Sequence, residues 1–127
     1  KKNREKKYVN HQIEELSIKC AGRDQSVSQL SGGNKQKVVF GKWIGCGSEI
    51  LILDCPTRGV DIGVKQAMYQ LMVRLKNEGK SILMISEELP ELIGMSDRIL
   101  IMKNGEVSAE FERSETLSDA QIIEYMI

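Results

Sequence analysis

The stretch Leu30–Gly45, LSGGNKQKVVFGKWIG, places a serine and two glycines directly before a helical pattern of apolar residues. Ser31 is a favourable N-cap, and the pattern predicts a helix from Gly33 to about Gly45. The first N–H groups of a helix are unpaired and lie at the positive end of its dipole, and glycine lets an anion approach the backbone closely. Because an ordinary capped helix carries the same residue types, Ser31, Gly32 and Gly33 alone indicate either a phosphate site or a helix start.

A second informative stretch, LILDCPTRGVD, runs from Leu51 to Asp61. The continuous apolar run EILILD at 49–54 predicts a strand that is buried on both faces of a parallel sheet. Such a strand delivers Asp54 to the carboxyl edge of the sheet, where open α/β folds bind ligands and where a carboxylate commonly reaches Mg²⁺ through water. Capping of the following turn is the alternative role of this carboxylate.

The rest of the chain alternates helical and strand patterns. We predict helices at 4–17, 64–79, 88–96 and 118–127, a second buried strand SILMIS at 81–86, and two strands around Asn104-Gly105, which is a strong hairpin signal. The apolar face of the 64–79 helix carries Ala67, Met68, Leu71, Met72 and Leu75. Strand, helix and strand in this order predict a right-handed parallel crossover, to which the hairpin adds an antiparallel edge.

Composition excludes several classes of protein. Among 127 residues, 18 Lys and Arg balance 18 Asp and Glu, so net charge does not indicate a nucleic-acid partner, and KKNREKK at the start reads as a solvated helix face. Cys20, Cys46 and Cys55 are odd in number and lack metal-ligand spacing, which favours reduced thiols. No apolar run approaches the roughly 20 residues that a bilayer-spanning helix needs.

Combined, the motifs LSGGNKQ, LILD, PTRGVD and ILMIS closely resemble the second half of an ABC-transporter ATP-binding cassette. Leu30–Gln36 matches the signature, Leu51–Asp54 the Walker B strand, and Gly59–Asp61 the D-loop. NKQKVVFGKWI and PTRGVDIGVK resemble the second cassette of bacterial monosaccharide importers of the ribose and galactose type. The resemblance implies a partial P-loop NTPase fold of the α/β class, with a parallel sheet, flanking helices and a terminal antiparallel hairpin.

The resemblance also implies a division of the chain and a set of site residues. About 1–46 would form the end of the helical subdomain with the signature helix, and about 47–127 part of the core subdomain. In the family, two cassettes meet head to tail, and each ATP lies between the phosphate loop of one and the signature of the other. The signature residues Ser31, Gly32, Gly33 and Gln36 would contact ATP bound by a partner cassette. Asp61 of the D-loop would act across the same interface. Asp54 would reach Mg²⁺ through water beside the nucleotide of its own cassette.

Two positions depart from the family pattern. Cys55 stands where the Walker B glutamate is expected, and Glu87 stands where the switch histidine is expected. A thiol with a reference pKa of about 8.5 is mostly neutral at pH 7 and is a poor acceptor for the proton of an attacking water. A negative Glu87 would repel the γ-phosphate, so both positions are expected to be catalytically impaired. A cysteine nucleophile is the alternative for Cys55, but His11, the only histidine, lies on a predicted surface helix.

The phosphate loop G-x-x-x-x-G-K-[ST] and the glutamine loop of the family do not occur in the chain. We therefore expect a back half of a cassette, in which the strand that separates SILMIS from RILIMK is missing. Unpaired edges of apolar strands invite pairing with another chain, so we expect self-association. Because one side of the ATP site is absent, we also expect the isolated chain to bind ATP weakly and to be inactive as an ATPase.

Two functions remain from the sequence. One is an ATP-binding subunit that couples ATP hydrolysis to sugar uptake, with ATP and Mg²⁺ as cofactors of the complete cassette. The other is a non-catalytic regulatory or assembly fragment with a degenerate ATPase site. For the first, the resemblance implies another ATPase cassette, membrane permease subunits and a periplasmic or extracellular sugar-binding protein as partners, at the cytoplasmic face of the membrane.

Overall fold

A computed structural model describes residues 1–126, which form two compact units, Lys1–Ile85 and a second unit that begins at Ser86. The first unit contains α1 (Lys2–Glu15), a 3₁₀ turn (Val27–Gln29), α2 (Gly32–Ile44), β1 (Ile50–Asp54), α3 (Ile62–Asn77) and β2 (Ser81–Ile85). The second contains α4 (Leu89–Met95), β3 (Arg98–Lys103), β4 (Glu106–Glu112) and α5 (Asp119–Ile123). The predicted α/β class and order of elements are confirmed.

The first unit is built on a parallel pair of strands joined by α3. β1 and β2 pair in register from Ile50 opposite Ser81 to Asp54 opposite Ile85. α3 is followed by Gly79, whose φ of +89° closes the helix as its sequence predicts. Four predicted apolar positions of α3 are buried, namely Met68, Leu71, Met72 and Leu75, and they share the core of this unit with Leu16, Ile18, Leu30, Phe40 and Leu51.

The prediction that both strands are buried on both faces is wrong. Ile50 and Ile52 are 66% and 68% exposed, and Leu83 and Ile85 are 52% and 50% exposed. These alternate residues fall on one side of the β1–β2 pair, because Ile52 is the register partner of Leu83 and side chains alternate between faces along a strand. We call Ile50, Ile52, Leu83 and Ile85 the open face, because each of these side chains is half or more exposed.

The second unit is a hairpin packed against two short helices. β3 and β4 pair antiparallel, and the turn residues Asn104 and Gly105 have φ of +51° and +81°, which confirms the predicted two-residue turn. The core of the unit consists of Ile99, Ile101 and Ile122, against which Leu89, Leu92, Ile93, Ala109, Phe111 and Leu117 pack.

Two details of this unit differ from the sequence prediction. The hairpin does not extend the parallel pair, because the four strands of residues 1–126 form two separate two-stranded sheets. The resemblance placed a further strand between SILMIS and RILIMK, and the described chain contains no such strand to join the sheets. The closing helix, predicted to reach residue 127, ends at Ile123, and position 127 lies outside the described residues.

None of the helices within residues 1–126 combines the length and apolarity that crossing a membrane requires.

Candidate functional site

The start of α2 has the predicted cap. Ser31 is the N-cap, and its Oγ accepts hydrogen bonds from the Asn34 backbone N–H at 3.4 Å and from Asn34 Nδ2 at 2.8 Å. Asn34 Oδ1 accepts a third bond from the Lys19 backbone N–H at 2.9 Å, which ties the helix start to the segment after α1. Gly32 is exposed, and a Cβ added there would meet no atom within 4 Å. The helix therefore presents its first N–H groups beside open space.

Gly33 has a different environment. A Cβ at this position would lie 2.8 Å from Val64 Cγ2, closer than real Cβ contacts come, and 3.1 Å from Val64 Cγ1, which is a tight contact. The second glycine of the motif is thus required by packing against the first turn of α3. Sequence reasoning attributed the missing side chain to phosphate approach alone and did not find this contact.

Asp61 caps α3 beside this contact. Its Oδ1 accepts a hydrogen bond from the Val64 backbone N–H at 2.9 Å, and the residue is otherwise exposed. The loop that leads to Asp61 is anchored by Pro56 and Thr57, which are buried, and it turns at Gly59 with φ of +70°. The structure therefore brings the predicted signature and D-loop residues together at two adjacent helix starts.

The carboxyl end of β1 carries two further predicted residues, Asp54 and Cys55. Asp54 is exposed at the last position of the strand, and Cys55 follows it, half-buried, with its N–H bonded to the Ile85 carbonyl oxygen at 2.9 Å. Cys55 has φ of +45°, a left-handed conformation that is uncommon for a residue with a side chain. Gln36 and Asp54 line the same groove of about 110 Å³ between α2 and β1, together with Trp43.

Glu87 belongs to the second unit, whereas the other predicted site residues belong to the first. It is exposed in the short turn between β2 and α4. Ser86 organises this turn, because its Oγ donates to Glu91 Oε2 and accepts the Glu88 backbone N–H at 3.1 Å. Glu91, on α4, is only 6% exposed, and the sequence did not predict this buried carboxyl group.

The predicted metal role rests on one carboxylate. No group of three or more His, Cys, Asp or Glu side chains in the described part of the chain could hold a metal ion. Asp54 alone, exposed at a strand end, fits a contact with Mg²⁺ through water but not a complete metal site.

Tyr8 anchors α1 to the end of α2. Its hydroxyl group donates a hydrogen bond to the Gly41 carbonyl oxygen, and a Cβ at Gly45 would overlap the tyrosine ring. Burial is the larger of two causes that raise the pKa of Tyr8 above its usual value, and the nearby Cys46 is the smaller. This contact holds the signature helix against the helix that precedes it in the chain.

Solved structures with a similar fold include ATP-binding cassettes of ABC transporters. A nucleotide-free cassette superposes with a TM-score of 0.81 at 26% identity, over 95% of this chain and 49% of that one. A cassette in its ADP conformation gives a TM-score of 0.78 at 25% identity, over 94% of this chain and 48% of that one. Over nearly all of its length, the chain is therefore similar in structure to about half of an ATP-binding cassette of an ABC transporter.

Sequence relatives narrow the class. The chain is 48% identical over 116 residues to the ribose import ATP-binding protein RbsA of Bacillus subtilis, 91% of this chain and 24% of that protein. The same protein of Clostridium perfringens is 46% identical over 114 residues (90% and 23%), and that of Streptococcus agalactiae 51% over 108 residues (85% and 22%). The chain thus spans less than a quarter of the length of these relatives. No protein-family model matches it.

Proposed function

We propose that this chain is the signature-bearing part of an ATP-binding subunit of a sugar importer of the ribose type, coupling ATP hydrolysis to sugar uptake. The observation that carries the proposal is the 46–51% identity to three ribose import ATP-binding proteins over nearly the whole chain. This similarity favours the importer over the alternative of a regulatory or assembly fragment that hydrolyses nothing.

In this proposal, the start of α2 binds the γ-phosphate of ATP held by a partner cassette. Open space beside Gly32 and the unpaired N–H groups of the helix start support this role, because an anion could approach the backbone there without a steric clash. Ser31 and Gly33 contribute to the same surface, Gln36 lies one turn further along α2, and Asp61 acts across the interface from the adjacent start of α3.

The nucleotide bound to the chain's own cassette meets a weaker set of groups. When bound, Mg²⁺ supplies charge neutralisation of the phosphates, and Asp54 would hold it through water. Cys55 occupies the position that follows, where a thiol accepts a proton from water poorly at neutral pH. Glu87 adds a negative charge instead of the switch histidine. Both positions are therefore proposed as impaired, and this half of the site is proposed to turn over slowly.

We also propose the subdomains to which the chain belongs, its partners and its location in the cell. Residues of about 1–46 belong to the helical subdomain and about 47–127 to the core subdomain. The partners are another ATPase cassette, membrane permease subunits and a periplasmic or extracellular sugar-binding protein, with the subunit attached peripherally to the cytoplasmic face of the membrane. No nucleic-acid partner is proposed, because acidic and basic residues balance. In isolation, the chain is proposed to self-associate through the open face.

Two titrations test the proposal. Isothermal titration of the chain with Mg-ATP should give a dissociation constant weaker than ~100 μM, corresponding to a binding free energy of less than about 5.5 kcal/mol. A low-micromolar value would contradict the idea that ATP is bound by two cassettes together. Adding the Bacillus subtilis ribose import ATP-binding protein with Mg-ATP should produce a complex that is absent without nucleotide.

A matched pair of variants identifies the surface responsible for this complex. Gly32→Asp places a carboxylate against the phosphates and should abolish the ATP-dependent complex. Gly94→Asp makes the same change on α4, where a Cβ also meets open space, and should leave the complex intact. If the two changes affected the complex equally, the proposed role of the start of α2 in ATP-dependent binding would be contradicted.

A further inference from the structure

We infer that Val64 is a positioning residue that fixes the start of α2 against the start of α3, and that position 33 is glycine because Val64 occupies the space of its side chain. The inference deepens the proposed function, on which its activity readout rests, while its packing readout is independent of it.

Val64 makes two separate contacts that join the candidate site residues. Its backbone N–H is bonded to Asp61 Oδ1 at 2.9 Å, so it orients the carboxylate at the start of α3. Its methyl groups face the α2 backbone, because a Cβ on Gly33 would lie 2.8 Å from Cγ2, 3.1 Å from Cγ1 and 3.4 Å from Cβ. One residue therefore sets both the direction of Asp61 and the separation between the two helices.

The contact has little room to yield. Val64 is β-branched and lies within a helix, where valine strongly prefers one χ1 rotamer. Both methyl positions lie near the added atom, at 2.8 and 3.1 Å, so a rotation about χ1 removes only one of the two close contacts. A side chain at position 33 must therefore push the start of α2 away from α3.

The two glycines of the motif are thus glycines for different reasons. Gly32 has open space, so a side chain there obstructs only what approaches from outside the chain. Gly33 has Val64, so a side chain there displaces the helix itself. Ordinary contact begins at 3.4 Å, so relieving the 2.8 Å contact takes a shift of about 0.6 Å. Because a misplacement of about 1 Å can cost on the order of 10²-fold in rate, we expect this shift to lower turnover.

The packing readout uses the full 127-residue chain. Gly33→Ala should lower the melting temperature by about 4 °C or more, since overpacking of this kind is destabilising. Val64→Ala should remove the clash, so the double variant Gly33→Ala/Val64→Ala should melt no lower than Val64→Ala alone. Val64→Thr keeps a branched side chain of the same size and should not rescue Gly33→Ala. Gly32→Ala should show no coupling to Val64→Ala.

The activity readout uses a chimera in which this chain replaces the 116 residues that it matches in the Bacillus subtilis relative. Gly33→Ala should lower kcat/KM for ATP by about 10–100-fold, and Val64→Ala should restore it to within ~3-fold of the level of Val64→Ala alone. Gly32→Ala should also lower it, but without rescue by Val64→Ala, because its obstruction is not caused by Val64.

The outcomes separate the inference from the proposed function. If Gly33→Ala/Val64→Ala melts and turns over no better than Gly33→Ala, the inference is overturned. If Val64→Ala rescues Gly32→Ala as well, the inference is also overturned, because the effect is then not specific to the contact. If the unmodified chimera shows no ATP turnover, the proposed function fails, and coupling of the melting temperatures alone decides the inference.

Discussion

The open face is where a small change should alter the behaviour of the chain most. We expect the isolated chain to self-associate through Ile50, Ile52, Leu83 and Ile85, and we expect Ile52→Lys/Leu83→Lys to convert it to a monomer. The two residues are register partners on neighbouring strands, so the lysines would lie side by side in the middle of the face. Covering them would then bury two like charges without partners.

The size of the effect follows from exposure. Ile52 is 68% and Leu83 52% exposed, and full burial of such a side chain contributes about 1.5–3 kcal/mol. Covering the exposed part of each therefore contributes about 1–2 kcal/mol, or about 4–7 kcal/mol for the two residues of two copies. Losing this contribution should weaken association by about 10³-fold or more, before the cost of burying the lysines is added.

Light scattering across a concentration series measures the change. Val73→Lys/Val107→Lys is the matched control, because it adds the same charge at two exposed valines, 48% and 55% exposed, that lie outside the open face. This control should associate like the unmodified chain. An unmodified chain that remains a 14.3 kDa monomer and melts cooperatively would refute the reasoning, as would a lysine variant that associates as strongly as the control.

Three further predictions concern single residues. In the chimera with the Bacillus subtilis relative, Cys55→Glu should raise ATP turnover by about 10²-fold or more, because it restores a general base. The control Cys46→Glu should not raise turnover, and equal turnover of the two variants would show that the missing carboxylate is not limiting. Asp61→Ala should lower the free energy of unfolding by about 1 kcal/mol because the α3 cap is lost, whereas Asp61→Asn should keep most of the cap's contribution. A nucleotide-dependent defect in Asp61→Asn would therefore indicate that the carboxylate itself is needed, and not only the helix cap. Because the pKa of Tyr8 is raised in the folded chain, Tyr8 contributes fully to the free energy of unfolding below its unfolded-state pKa near 10. That contribution is lost as the pH rises through the folded-state pKa. Tyr8→Phe should therefore melt below the unmodified chain at pH 8, with a gap that narrows by pH 11; a constant gap would contradict this assignment.

Local chemistry made much of the fold predictable. The cap at Ser31, the end of α3 before Gly79 and the turn at Asn104-Gly105 all depend on residues within a few positions of one another, and the structure has all three. The apolar face of α3 was predictable for the same reason, because helical periodicity places its buried residues on one stripe.

Features that depend on distant residues could not be predicted in the same way. The apolar strands β1 and β2 correctly indicate a parallel pair, but hydrophobicity alone does not say which face of each strand is buried. Among the described residues, Ile52 and Leu83 are more than half exposed. Likewise, the glycine at position 33 is explained by Val64, which lies on another helix. Sequence reasoning placed the candidate residues at helix and strand ends but could not find the contact that joins two of those ends.

The different connections of the two strand pairs have a consequence for the order of folding. A two-residue turn joins β3 to β4, so their ladder closes over a short loop, and isolated hairpins form in about 1–10 μs. Ile50 and Ser81, by contrast, are separated by the whole of α3, and their pairing must close a longer loop before any contact compensates for the lost entropy. In a refolding chain, amide protection should therefore develop in Arg98–Lys103 before it develops in Ile50–Asp54.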